Sequence, residues 1–229
     1  MKKYIWRVSI VAVLIAVCAF LMGRFAFPSD NLAALPKPEI ADGERGAQFG
    51  IDKNIDESTI DKYLGRSDSV YRDMRMLKDP GNYEAIGGDS YLSGFVKGFE
   101  VVSLPYIFPV SGLPEPVGQT YAGETLFSID GEGKYVANYV ESMDILEYLF
   151  PKDKNIFLMC GGGGYAGMTK NMLISLGWDA EKIYNVGGYW SYEGENNVQV
   201  KTERDGKTSY DFWKVAYHDI DFTTLTKAN

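Results

Sequence analysis

The stretch NIFLMC, Asn155–Cys160, ends on a cysteine that is followed at once by Gly161, Gly162, Gly163 and Gly164, and then by a helical pattern starting near Ala166 or Gly167. An apolar run of this length, bounded by glycines, reads as a buried strand. After the glycines, Met168, Met172, Leu173 and Leu176 recur at three- and four-residue spacing, and Gly177 is placed to stop a helix there. A buried strand, a glycine loop and a helix form the unit from which parallel sheets are assembled. Such strands are covered on both faces and need a crossover to reach a parallel neighbour.

The rest of the chain repeats this alternation. Residues 69–76, 99–106 and 182–186 are short runs rich in β-branched and aromatic residues and read as strands. In residues 135–150, Val136, Tyr139, Val140, Met143, Leu146 and Phe150 recur at helical spacing. Residues 54–64 carry helix-start chemistry, with Asp56 or Ser58 as caps. The expected fold class is α/β, a mainly parallel sheet flanked by helices on both faces. Hydrophobic content of 45%, with 14% aromatic residues, is enough to fill such a core. Residues 107–134 are rich in Pro and Gly and read as a long excursion within an insertion spanning about 107–150. Residues 28–50, with three prolines and mixed charge, read as a linker. In the C-terminal extension, 196–229, Asp205-Gly206 between two alternating runs predicts a hairpin. The main domain is expected at 51–195.

Residues 1–27 have a different character. Lys2, Lys3 and Arg7 precede an almost uncharged apolar run from Val8 to Gly23, the layout of a signal peptide or signal anchor. Tyr4, Trp6, Phe25 and Phe27 extend the run at both ends, and no small-x-small cleavage site lies near Arg24. These flanks favour an uncleaved transmembrane anchor over a cleaved signal. Cys18 follows Ile15-Ala16-Val17, a poor lipobox because Val17 stands where a small residue is needed. The positive-inside rule places the N-terminus in the cytoplasm and the domain outside the membrane, or secreted if the signal is cut. Four of the 23 basic residues and none of the 31 acidic ones fall in 1–27, which leaves the body at −12. That charge argues against nucleic acid as a partner.

With Cys18 in the apolar run, Cys160 is alone in the body, in a compartment that favours disulfides. Ligands of open α/β sheets bind beyond the carboxyl ends of strands. A glycine loop entering a helix gathers N–H groups and the positive end of the helix dipole. A thiol centred there is expected to have a depressed pKa and to be nucleophilic. The alternative is a cysteine that serves as a small hydrophobe at a strand end. From the residues alone both stay open. A phosphate-binding loop lacks its Gly-Lys-Ser/Thr here, and a dithiol motif lacks its second cysteine.

Four segments in order resemble the rhodanese-like domain of sulfurtransferases: Tyr71-Arg72-Asp73-Met74-Arg75; Gly94-Phe95-Val96-Lys97-Gly98-Phe99 with Val101-Val102-Ser103-Leu104-Pro105; the cysteine strand and its loop; and Gly177-Trp178 followed by Lys182-Ile183-Tyr184-Asn185-Val186-Gly187-Gly188-Tyr189-Trp190. The match spans about residues 55–195. The resemblance implies that Cys160 takes a sulfane sulfur as a persulfide and passes it to a thiol acceptor. It also implies that the backbone of Gly161, Gly162, Gly163, Gly164, Tyr165 and Ala166 cradles a small anionic donor, of thiosulfate or 3-mercaptopyruvate type. No metal and no cofactor is implied. Arginine, frequent in the family near positions 161 and 165, is replaced here by Gly161 and Tyr165, so the loop has no charged side chain. That weakens the case for thiosulfate and keeps two rivals open: a non-catalytic rhodanese module binding a partner or a small sulfur species, and a thiol redox sensor. Related phosphatases need an arginine six residues after the cysteine, where this chain has Ala166.

Other chemistry-bearing residues read as structural. His218, the single histidine, lies far from the motif in sequence. Asp73 and Arg75 either form part of the site or, the favoured reading, make an ion pair or helix contacts that anchor the first strand. Tyr165 either donates its hydroxyl to a bound donor or packs over the loop. Met159, Met168 and Met172 suit core packing better than copper. Oligomeric state is not legible.

Overall fold

The computed structural model describes residues 33–75, 94–110, 121–197, 199–204, 207–212 and 217–228, which belong to one unit, Ala33–Asn229. Residues 1–27, with the expected anchor and Cys18, lie outside them, as does part of the 107–134 excursion. Among the described residues no helix is long and apolar enough to cross a membrane.

The centre is a sheet of five strands: β1 (Ser69–Asp73), β2 (Glu100–Val102), β5 (Asn155–Cys160), β6 (Ile183–Gly188) and β9 (Tyr217–His218). Their spatial order is β6-β5-β1-β2-β9, and every neighbouring pair is parallel. The protein is therefore of mixed α/β class with a mainly parallel sheet. Helices α3 (Ser142–Leu149) and α4 (Gly164–Ser175) pack on one face.

The alternation within NIFLMC sets both layers of the core. Ile156, Leu158 and Cys160 face a cluster that includes Leu146, Leu149, Met172 and Leu173. Phe157 and Met159 face a second cluster with Ile55, Ile60, Tyr71 and Tyr184. On that second face Tyr71, Phe157 and Tyr184 occupy aligned positions on β1, β5 and β6. Their rings stack, with centroids 5.1 and 4.9 Å apart. Each fully buried side chain of this size contributes about 1.5–3 kcal/mol through burial, and the stacking aligns the three strands. Gly177, at φ +96°, ends α4 as its position predicts.

Several local expectations are corrected. The helix expected over 135–150 starts only at Ser142. Tyr135–Ala137 is instead strand β4, antiparallel to β3 (Phe127–Ile129). The intervening turn is built by Asp130, whose carboxylate accepts the N–H groups of Glu132 and Lys134, both at 2.9 Å, and by Gly133 at φ +79°. Turn chemistry overrides the apolar spacing there, and Val136 and Val140 are left exposed. The strand expected over 99–106 stops at Val102. Leu104–Ile107 forms a short helix, α2, with Pro105 in its first turn. Residues 54–64 make only a 3-10 turn, Ile60–Tyr63. Asp56 accepts from the Ser58 and Thr59 amides just before it.

The tail forms the expected hairpin, β7 (Gln199–Arg204) against β8 (Lys207–Phe212), with Arg204 opposite Lys207. It then does something the sequence did not announce. β9 joins the central sheet beside β2 and so makes the extension part of the domain. The segment read as a linker is likewise structured. Helix α1, Glu44–Phe49, packs on α4, and the Asp52 N–H bonds to Asn185 O at 2.7 Å along the outer edge of β6. Residues 44–57 thus form a strap over the sheet's β6 edge.

Candidate functional site

Cys160 is the last residue of β5, an internal strand of the sheet, and is 3% exposed. The pairing of β5 with β6 shifts register between Leu158 and Cys160, and Cys160 then pairs opposite Gly188. The chain then turns through Gly161, Gly162 and Gly163 into α4. Gly163 stands at the helix N-cap with φ +102° and ψ −18°, a conformation that glycine adopts freely. This turn aims the Gly163 N–H at Cys160 Sγ, 3.1 Å away. The amides of Ala166 and Gly162 also act on the sulfur. Of the six loop residues expected to cradle the site, Gly163 donates its amide to the sulfur, and the amides of Ala166 and Gly162 favour the thiolate.

The other three have different partners. The Gly161 carbonyl accepts the Trp190 N–H at 3.1 Å, and a Cβ on Gly161 would lie 2.6 Å from the indole, which is half exposed above it. Gly164 starts α4. Tyr165 packs against the core cluster that holds Cys160. Its hydroxyl pKa is pushed up to about 12 by burial and then by the neighbouring sulfur.

The electrostatics differ from the sequence-based expectation in sign. The thiol pKa is raised, not depressed. Burial dominates because it penalises the thiolate, and the negative charge of Asp73 adds to it. The Ala166, Gly163 and Gly162 amides pull in the opposite direction without winning. The glycine loop does build a nest, as its composition suggests. The depth of the sulfur offsets it.

Asp73 and Arg75 form the expected ion pair at 2.5 Å, with side chains 0% and 4% exposed. Arg75 also donates to Gly94 O at 2.7 Å and lies between the rings of Phe95 and Tyr189, 4.9 and 4.6 Å from their centroids. His218 stands on the opposite side of the sheet from the loop, on β9, where its Nε2 lies 2.8 Å from Glu100 Oε2. Met159 belongs to one core cluster, while Met168 and Met172 belong to the other, so the three do not converge. Among the described residues no group of three or more His, Cys, Asp or Glu could hold a metal ion.

Residues that the motif reading passed over complete the surroundings. Asn185 is fully buried in β6 and donates to both Phe49 O and Gly163 O. Its signal was present: a lone amide inside the apolar run KIYNV. Arg45 donates to Gly162 O at 3.4 Å and to Ser191 Oγ at 3.3 Å, and pairs with Glu57 at 2.6 Å. No local pattern marked it, because it lies in the stretch read as a linker. A comparison of the chain with protein-family models, with curated proteins and with solved structures finds no match.

Proposed function

We propose that this domain is a sulfur carrier of the rhodanese-like, sulfurtransferase type, with Cys160 as the atom that is loaded. The observation that carries the reading is the Gly163 N–H donated to Sγ at the end of an internal parallel strand, with the Gly162 and Ala166 amides also favouring the thiolate. Such a nest suits a sulfur anion. The ordered motifs from Tyr71 to Trp190 add their resemblance.

In the loading step the deprotonated Cys160 sulfur attacks the transferable sulfur of a small anionic donor, the sulfane sulfur of thiosulfate or the thiol sulfur of 3-mercaptopyruvate. The new S–S bond forms as the donor's bond to that sulfur breaks, and the electron pair leaves with the remainder: sulfite from thiosulfate, or pyruvate, once protonated, from 3-mercaptopyruvate. In the second step an acceptor thiolate attacks the outer sulfur, and the pair of the breaking S–S bond returns to Cys160. No net oxidation is required. Burial keeps the empty thiol neutral, so the proton must leave as the donor arrives. Arg45, paired with Glu57, bonds to the Gly162 carbonyl and braces a loop that carries no charged side chain of its own.

The raised thiol pKa favours a second reading, a non-catalytic module that binds a partner or a small sulfur species. Mass spectrometry of the protein incubated with thiosulfate, 3-mercaptopyruvate or polysulfide separates the two. A gain of one sulfur atom on Cys160, lost on adding a thiol, is expected of the carrier. No gain from any of these donors supports the binding module and ends the transfer reading. The basic and apolar pattern of residues 1–27 leads us to place the domain outside a membrane to which this segment tethers it.

A further inference from the structure

We propose that Asn185 is the positioning residue of the thiol nest, the group that holds Gly163 where its amide reaches Cys160. This rests on Cys160 being the reactive atom of the domain. One Asn185 Nδ2 donates to Gly163 O at 3.0 Å and to Phe49 O at 2.8 Å, while Oδ1 accepts the Gly187 N–H at 3.0 Å. A primary amide has two N–H donors and one carbonyl, and here all are engaged. The Gly163 peptide is thus gripped from both ends, by Asn185 on its carbonyl and by the sulfur on its N–H.

The grip matters because Gly163 joins the loop to α4, where its carbonyl also accepts the Gly167 N–H at 2.9 Å. Its left-handed φ is reached without cost by glycine, which can leave that conformation just as easily. Four successive glycines have no side chains with which to hold a fixed curl. Groups outside the loop supply the order: the Trp190 N–H on Gly161 O, Arg45 on Gly162 O and, at Gly163 itself, the buried Asn185 side chain. The same side-chain amide also fastens the strap, through its bond to Phe49 O. The backbone carbonyl of Asn185 separately accepts the Asp52 N–H, and Ile51 packs on Gly163, where a Cβ would lie 3.0 Å from the Ile51 side chain. Asn185 therefore joins three separate pieces of chain around the sulfur: the strap, the loop and the end of β6.

A merely structural Asn185 and a positioning Asn185 predict opposite changes at the thiol. If the residue only stabilises the fold, its loss loosens the region, lets water reach the sulfur and speeds alkylation. If it positions the nest, its loss moves a donor away from the thiolate while the sulfur stays buried, so alkylation slows and its pH midpoint rises. A hydrogen bond to a charged group is worth roughly a tenfold effect in that equilibrium.

The test is the iodoacetamide rate of Cys160 against pH in the unloaded protein, for Asn185→Leu and Asn185→Ser. Ile60→Ala, which opens a cavity in the other core cluster, serves as the control for destabilisation alone. The two Asn185 variants, with native circular dichroism, are expected to react about tenfold more slowly below the midpoint, while the Ile60 variant keeps the wild-type profile. Unchanged or faster alkylation in either folded Asn185 variant overturns the proposal, as does an equal slowing in Ile60→Ala. If Asn185→Leu fails to fold, Asn185→Ser alone decides. None of these outcomes depends on whether the protein accepts sulfur, so a failed transfer assay leaves the result readable.

Discussion

Gly188 lies directly against the carbonyl of Gly161: a Cβ at Gly188 would come within 2.1 Å of that oxygen and 2.6 Å of Gly162 Cα. The last residue of β6 and the first two of the thiol loop therefore share a space that no side chain can enter. Substituting Gly188→Ala forces the loop backbone to move, since the obstructing atoms are main chain. The expected cost is about 1–3 kcal/mol, read as a lower urea midpoint. Cys160 loading by a sulfur donor should fall with it. A variant as stable and as active as the wild type would show that this contact does not constrain the loop.

The buried Asp73–Arg75 pair ties the thiol to the second core face. Removing one partner leaves the other charge buried without compensation, which costs about 3–5 kcal/mol. Arg75→Met should lower the unfolding free energy by that amount. Asp73→Asn should do so too, and it should also lower the pH at which Cys160 reacts with iodoacetamide, because the Asp73 charge contributes to the raised thiol pKa. Alkylation that starts at the same pH in Asp73→Asn would remove Asp73 from the electrostatics of the site.

The legible parts of this protein were those where one physical pattern acts alone. NIFLMC is apolar, bounded and buried on both faces, and its strand bounds match the sequence reading. Helix α4 was legible because Met168, Met172 and Leu173 face one core and Gly177 stops the chain. The loop's nest was legible from glycine content, but the ionisation of its thiol was not. That depends on how deeply the fold buries the sulfur, a tertiary property with no local signature. Arg45 was missed for the related reason that its partners, Gly162, Ser191 and Glu57, lie far from it in sequence. β9 was missed because two residues, Tyr217 and His218, are too few to carry a period. Tyr135–Ala137 misled because its spacing continues that of the helix that follows.

Glu100 links the far edge of the sheet through ions. Its carboxylate receives Arg72 Nη1 at 2.6 Å and faces His218 Nε2 at 2.8 Å. The His218 hydrogen bond is the largest influence holding the Glu100 pKa below its ordinary value, with Arg72 adding to it and burial opposing. A depressed carboxyl contributes stability above the unfolded glutamate value, about 4.3, and loses it as pH falls through the folded value. Unfolding midpoints measured below about pH 5 should therefore drop more steeply in the wild type than in Glu100→Gln. Parallel curves would mean that the contact does not favour the charged form.

The thiol itself predicts the alkaline counterpart. Its folded pKa lies above its unfolded value, so its contribution is fully present below about pH 8.5, the ordinary thiol value, and is lost as pH rises through the folded pKa. The unfolded chain ionises Cys160 first and is favoured by doing so. Cys160→Ala removes this linkage and leaves the tyrosine titrations common to both proteins. Urea midpoints taken from about pH 7 to about pH 10 should decline more in the wild type than in the variant, whatever the cavity costs at neutral pH. A wild type that declines less would mean that the amides of Gly162, Gly163 and Ala166 outweigh burial, and that the resting sulfur is an anion after all.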